Sequence, residues 1–91
     1  MRYANRRDGN EGDIVEYLEA CGYQLKPAQP PAPFDWFVRR GSNPMVVFLE
    51  LKTKLGKLTR NQATFKEWVG EGPYITARTP EEALARVQKW I

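Results

Sequence analysis

Residues 45–54 read Met45-Val46-Val47-Phe48-Leu49-Glu50-Leu51-Lys52-Thr53-Lys54, and this stretch decides the fold. Side chains of a strand alternate between its faces, so Met45, Val47, Leu49 and Leu51 share one face while Val46, Phe48, Glu50 and Lys52 share the other. Both faces begin apolar, which predicts a central strand covered on both sides. The second face then ends in a carboxylate and an ammonium two residues apart. Burying charge is costly unless it is paired or holds a metal, so this end of the strand is the candidate site.

Immediately upstream, Phe34 to Arg39 has strand character and Gly41-Ser42-Asn43-Pro44 supplies turn residues, which predicts an antiparallel hairpin. If Ser42-Asn43 is a two-residue loop, Gly41 faces Pro44, Phe37 faces Phe48, and Asp35 faces Glu50 within about 5 Å. A slip of one residue would put Asp35 on the other face. In the expected register the two carboxylates repel, and a Mg²⁺ ion, which takes hard carboxylate oxygens, would turn that repulsion into coordination.

Further upstream, Pro27, Pro30, Pro31 and Pro33 fall within seven residues and enforce a stiff loop inside one domain, after a short edge strand at Tyr23 to Lys26. Gly22 closes a helix expected from Asn10, its N-cap, to about Cys21. Ile14, Val15, Leu18 and Cys21 form its apolar stripe, and Asp13, Glu16 and Glu19 lie opposite. Glu11 precedes Val15 by four and Leu18 by seven, which places it on the buried stripe. It reads equally as a first-turn acid favoured by the helix dipole and as a site residue. Residues 1–9, with Arg2, Arg6 and Arg7, read as a basic, solvated arm.

Downstream, Leu55 to Leu58 is a turn and Thr59 opens a helix to about Val69, with Phe65 and Trp68 expected on its inner side. Thr59-x-x-Gln62 has the form of a capping box. Gly70 to Pro73 stops the helix, and Tyr74 to Ala77 is a short strand. Thr79-Pro80-Glu81-Glu82 starts a last helix that buries Ala83, Leu84, Val87 and Trp90. Trp36, Trp68 and Trp90 all read as core residues in preference to an interface.

The chain of 91 residues is long enough for one domain, 1–91, burying about 60% of its unfolded surface. Fourteen Lys and Arg against eleven Asp and Glu give +3, a balance that permits a polyanionic partner without requiring one. The distribution is more telling, because Arg39, Arg40, Lys52, Lys54, Lys57, Arg60 and Lys66 crowd the middle of the chain around the charged strand end. A phosphate backbone is expected there, although Lys54, Lys57, Arg60, Arg39 and Arg40, each taken alone, read as solvated surface. The absence of His removes Ser-His-Asp and Cys-His catalysis and His-ligated zinc, leaving carboxylates, Lys and metal for any chemistry. A single Cys, Cys21, fits a reducing compartment, and no stretch reads as a signal peptide or a membrane span. A cytoplasmic location, in a bacterium or a phage-infected host, is the expectation.

Asp35, then Glu50-Leu51-Lys52 on the next strand, then Gly56-Lys57-Leu58-Thr59-x-x-Gln62 opening a helix, resembles the PD-(D/E)XK nuclease superfamily, and within it the small stand-alone VRR-NUC type. Arg7-Asp8-x-Asn10-Glu11 and Thr79-Pro80-Glu81-Glu82-Ala83-Leu84 extend the resemblance over nearly the whole chain. It implies an α/β (α+β) restriction-endonuclease-like core, a small mixed sheet with a central antiparallel hairpin flanked by helices on both faces. It further implies Asp35 and Glu50 as metal ligands with the Leu51 carbonyl, and Glu11 as the first-helix acid, acting through water or a second metal. Lys52 would orient or help deprotonate the attacking water, and Gln62 would position Lys52 or a water. The implied cofactor is Mg²⁺, with Mn²⁺ as a substitute. The implied activity is cleavage of phosphodiester bonds in branched, Holliday-junction-like DNA by a homodimer, with phosphate contacts from Lys54, Lys57, Arg60, Arg39 and Arg40. One position departs from the family pattern: Phe34 stands where Pro or Gly usually precedes the metal Asp. The competing reading is a catalytically inactive nucleic-acid-binding or accessory module of the same fold.

Overall fold

The computed structural model describes residues 11–52 and 58–91. The basic arm 1–9, the Asn10 cap, Lys54, Lys57 and most of the expected turn at 55–58 lie outside the described residues. The elements run α1 (Glu11–Ala20), β1 (Gln24–Pro27), β2 (Trp36–Arg40), β3 (Asn43–Leu51), α2 (Arg60–Val69), β4 (Tyr74–Ala77) and α3 (Pro80–Val87). They form a four-stranded sheet in the order β1-β2-β3-β4. Short connections force β1, β2 and β3 into antiparallel pairs, whereas β4 returns parallel to β3 after the α2 crossover.

The alternation along β3 sorts the two layers. Val38, Val47, Leu49, Leu51, Ile75 and Ala77 point to one face and meet Ile14 and Leu18 of α1 and Ala83 and Val87 of α3. Each large apolar side chain withdrawn there contributes about 1.5–3 kcal/mol. The opposite face carries Phe37, Phe48 and Tyr74, which pack with Phe34, Phe65 and Val69 under α2. Helices thus cover both faces. Phe34 is the hub of this second layer, its ring 5.0 Å from Phe37, 4.9 Å from Phe48 and 5.6 Å from Phe65. That packing is what a large residue before Asp35 does in this chain.

Gly22 makes the turn from α1 into β1 with φ +98°, a conformation that side chains with a Cβ rarely adopt, and Tyr23 N–H then closes back on the Leu18 carbonyl at 3.0 Å. The Pro-rich connection from β1 to β2 is closed at its base, where Ala28 N–H donates to the Asp35 carbonyl at 2.9 Å. At the far edge of the sheet, Arg86 Nη1 donates to the Thr76 carbonyl of β4 at 2.7 Å, which occupies an acceptor that an added strand would use.

Two expectations are corrected. The hairpin loop is Gly41-Ser42 between the paired Arg40 and Asn43, not Ser42-Asn43, and β3 carries two more residues than β2 before the ladder resumes at Val38 and Val47. The bulge restores the expected register, so Phe37 does face Phe48. Trp68 is not inside α2 but 79% exposed, with its ring resting on Phe65 at 5.9 Å. The inner stripe of α2 runs through Gln62, Phe65 and Val69, and Trp68 stands to one side of it. Replacing Trp68 by Ala is therefore expected to change unfolding free energy by no more than about 0.5 kcal/mol in a denaturant titration.

Candidate active site

The C-terminal end of β3 brings four of the expected residues together. Asp35 lies directly before β2, where its N–H donates to the Leu49 carbonyl at 2.9 Å. Its Oδ2 accepts from the Leu51 N–H at 2.8 Å, so the carboxylate is drawn across to the end of β3. Glu50, one residue earlier and only 2% exposed, points to the same side. Its Oε2 accepts from Gln62 Nε2 at 2.6 Å and pairs with Lys52 Nζ at 3.2 Å. Gln62 Oε1 in turn accepts from Lys52 Nζ at 2.7 Å. Glu50, Lys52 and Gln62 therefore close a ring of contacts.

Gln62 also completes the capping box of α2: its Oε1 accepts from the Thr59 N–H at 2.9 Å, and its own N–H donates to Thr59 Oγ1 at 3.2 Å. The structural and the site reading of Gln62 hold together, since one amide ties the helix start to the charged strand end. Lys52 follows β3, and its N–H extends the parallel ladder to the Ala77 carbonyl at 3.0 Å. This pins the backbone from which its ammonium reaches Glu50.

The electrostatics of the pair are unusual. Burial, and then the Asp35 charge, push Glu50 up to about 7 from the ordinary value of 4.5, while Lys52 pulls the other way. Glu50 Oε1 is buried with no hydrogen-bond partner, although its twin Oε2 has two. Once Glu50 is ionised, Oε1 is left as an acceptor beside a second carboxylate, a position suited to a cation. Tyr74 joins the site unannounced by the sequence: burial first, then the charges of Glu50 and Asp35, hold its phenol well above the usual range, so it stays a neutral hydroxyl. The parallel pairing of Tyr74 with Phe48, two residues from Glu50, puts it there. A crossover of this kind leaves its register unspecified by local pattern.

Other expected residues lie apart. Glu11 is buried, as its spacing predicted, but its Oε2 accepts from Trp36 Nε1 at 2.6 Å. Trp36 pairs with Leu49, on the sheet face opposite Glu50. Among the described residues no three acidic, His or Cys side chains converge as a metal-holding group. Arg39 and Arg40 end β2 at the hairpin turn, four and five residues from Asp35 and thus about 13–17 Å along the strand. Arg39 Nη2 donates to the Asn43 carbonyl at 3.3 Å, and Arg40 lies over the Tyr23 ring at 4.6 Å. Arg60 is exposed at the first position of α2, beside the cap that holds Gln62.

Comparison with family models, with curated proteins and with solved structures found no match to this chain.

Proposed function

We propose that this protein is a divalent-metal-dependent endonuclease that hydrolyses phosphodiester bonds in branched DNA. The observation that carries the reading is the buried, donorless Oε1 of Glu50 beside Asp35, with Lys52 held by Gln62 on the other oxygen. Asp35, Glu50 and the Leu51 carbonyl are the groups that would hold Mg²⁺ or Mn²⁺. When bound, such an ion lowers the pKa of water and stabilises charge that develops on a phosphoryl group. Lys52 supplies a fixed positive charge at the same place, aimed by two contacts, and donates toward an oxygen that gains negative charge. Gln62 is a positioning residue that holds the ammonium without competing for its charge. The mixed sheet with a central hairpin and helices on both faces agrees with the architecture that the resemblance implies. No described helix is long and apolar enough to cross a membrane.

A second reading has an observation of its own. The ring of Glu50, Lys52 and Gln62 is complete among protein atoms, and Glu11 is bonded to Trp36, as a nucleic-acid-binding module without catalysis would allow. Incubation of a labelled four-way junction, a linear duplex and a single strand with Mg²⁺, Mn²⁺ or chelator separates the two. Cutting of the junction that disappears in chelator is the expected result, and symmetric nicks together with a dimer on a sizing column extend it to a paired resolvase. Binding without cutting in either metal rejects catalysis by this chain alone.

A further inference from the structure

The sheet face that carries the acid pair is only partly covered by α2. Toward the hairpin turn it opens as a groove of about 470 Å³, lined by Gln24, Leu25, Lys26, Phe37, Arg39 and Val46. Cross-strand pairing builds it, because Gln24 stands opposite Arg39 and Lys26 opposite Phe37 on β1 and β2. Phe37 forms the floor. Its ring is braced edge-on by Phe34 at 5.0 Å and stays half-buried, so one part of it is presented to the groove in a fixed orientation. The charged residues of the lining are both cations, Lys26 and Arg39, and both are exposed.

We propose that this groove binds an unpaired nucleic-acid segment, with a base on Phe37 and flanking phosphates on Lys26 and Arg39. The chemistry selects this occupant. An aromatic ring flanked by two cations suits a base between two phosphates, and base stacking on an aromatic side chain contributes about 1–3 kcal/mol whatever the base. The volume is that of a small-ligand pocket and is far too small for a duplex, so the base it takes must already be unstacked. A second copy of the chain is disfavoured, because a two-fold contact through this face brings Lys26 and Arg39 of one copy against those of the other. The groove begins at Phe37, about 7 Å along β2 from Asp35, and reaches Arg39 at about 13 Å on the same face, within the span of a few nucleotides. The assignment rests on the endonuclease reading for the identity of the ligand: a branch point offers the unpaired nucleotides that a continuous duplex withholds. It would give the protein a physical reason to prefer branched DNA.

Fluorescence anisotropy with a labelled oligo-dT, in chelator so that cleavage plays no part, tests it on the full chain. Because Lys26 and Arg39 are exposed, the double variant Lys26→Glu/Arg39→Glu keeps the fold, checked by circular dichroism. It is expected to lose at least tenfold in affinity at low salt, with the salt slope reduced by about 1.4, the share of two phosphates on a single strand. Phe37→Leu keeps an apolar floor without a π-face and is expected to lose about fivefold or more. The single charge-reversal control Lys89→Glu, on the turn after α3 and so on the other side of the sheet, is expected to bind within twofold of the native chain. Native-like binding by the double variant overturns the proposal, as does an equal loss in Lys89→Glu or a change in elution volume without a change in DNA binding. Failure of the endonuclease reading looks different: no DNA is cut in any metal, while the losses at the groove persist.

Discussion

Lys52→Ala is expected to lower the rate constant for junction cleavage by about 10²–10³-fold, the loss typical of one preorganised donor at a site of developing charge. Affinity for the junction in chelator should stay within about threefold, because one phosphate contact among many sets little of the binding. The separation between the two effects is what matters. Lys52 is tied to Glu50 at 3.2 Å and to Gln62 at 2.7 Å, so its ammonium is fixed at the acid pair instead of being free to track a backbone phosphate. Removing it also takes away a charge that pulls the Glu50 pKa down, so the pH at which the variant's residual activity appears should move upward. A residue that merely supported the strand would lower stability and leave the pH profile where it was. Single-turnover cleavage between pH 6 and 9 distinguishes these cases, and a Lys52→Ala chain that cuts as fast as native removes Lys52 from the chemistry.

How much of this arrangement was legible in the sequence differs from element to element. The strand end was readable because it violates the burial rule: an apolar two-sided run that finishes in Glu50 and Lys52 announces a cost that something must offset. The partner Asp35 was readable through the hairpin, though the loop was not. Turn chemistry favoured Ser42-Asn43, whereas the ladder closes at Arg40 and Asn43 and a bulge on β3 absorbs the difference. The apolar alternation of Phe37 against Phe48 and Val38 against Val47 outweighs the turn, since a slipped register would set the aromatic layer of one strand against the aliphatic layer of the other. The capping box was legible as local chemistry, but its reach to Lys52 depends on where α2 docks. Trp68 failed for a related reason: spacing of three from Phe65 places two residues within one broad stripe, and only packing decides which side of that stripe is covered. Tyr74 was beyond reach because it depends on a parallel pairing across a helical crossover, and the groove over Phe37 because it depends on how much of the sheet face α2 leaves uncovered.

Glu50 should make the stability of the metal-free protein fall as pH rises. Its folded pKa is raised to about 7 from 4.5, so between these values the folded chain holds a proton that the unfolded chain has released. The stabilisation is fully present below pH 4.5 and is lost as pH rises through 7, a swing on the order of 3 kcal/mol. Most carboxylates of a folded protein act in the opposite sense, so the contribution is best read as a difference between native protein and Glu50→Gln. The variant keeps the shape and cannot titrate; between pH 5 and 8 its unfolding free energy should change less steeply downward than that of the native chain. On the endonuclease reading a divalent cation should reverse the native trend, because the charged pair that is costly alone would become its ligand set and the proton would be expelled on binding. At pH 8, saturating Mg²⁺ or Mn²⁺ should therefore raise the native melting temperature and leave that of Glu50→Gln nearly unchanged, with the native gain shrinking toward pH 5. Thermal melts across this range in chelator and in metal measure both halves. Parallel pH curves for the two proteins would mean that Glu50 ionises normally in the folded state. A metal-induced shift that survives in Glu50→Gln would place the cation elsewhere and detach the acid pair from the chemistry proposed for it.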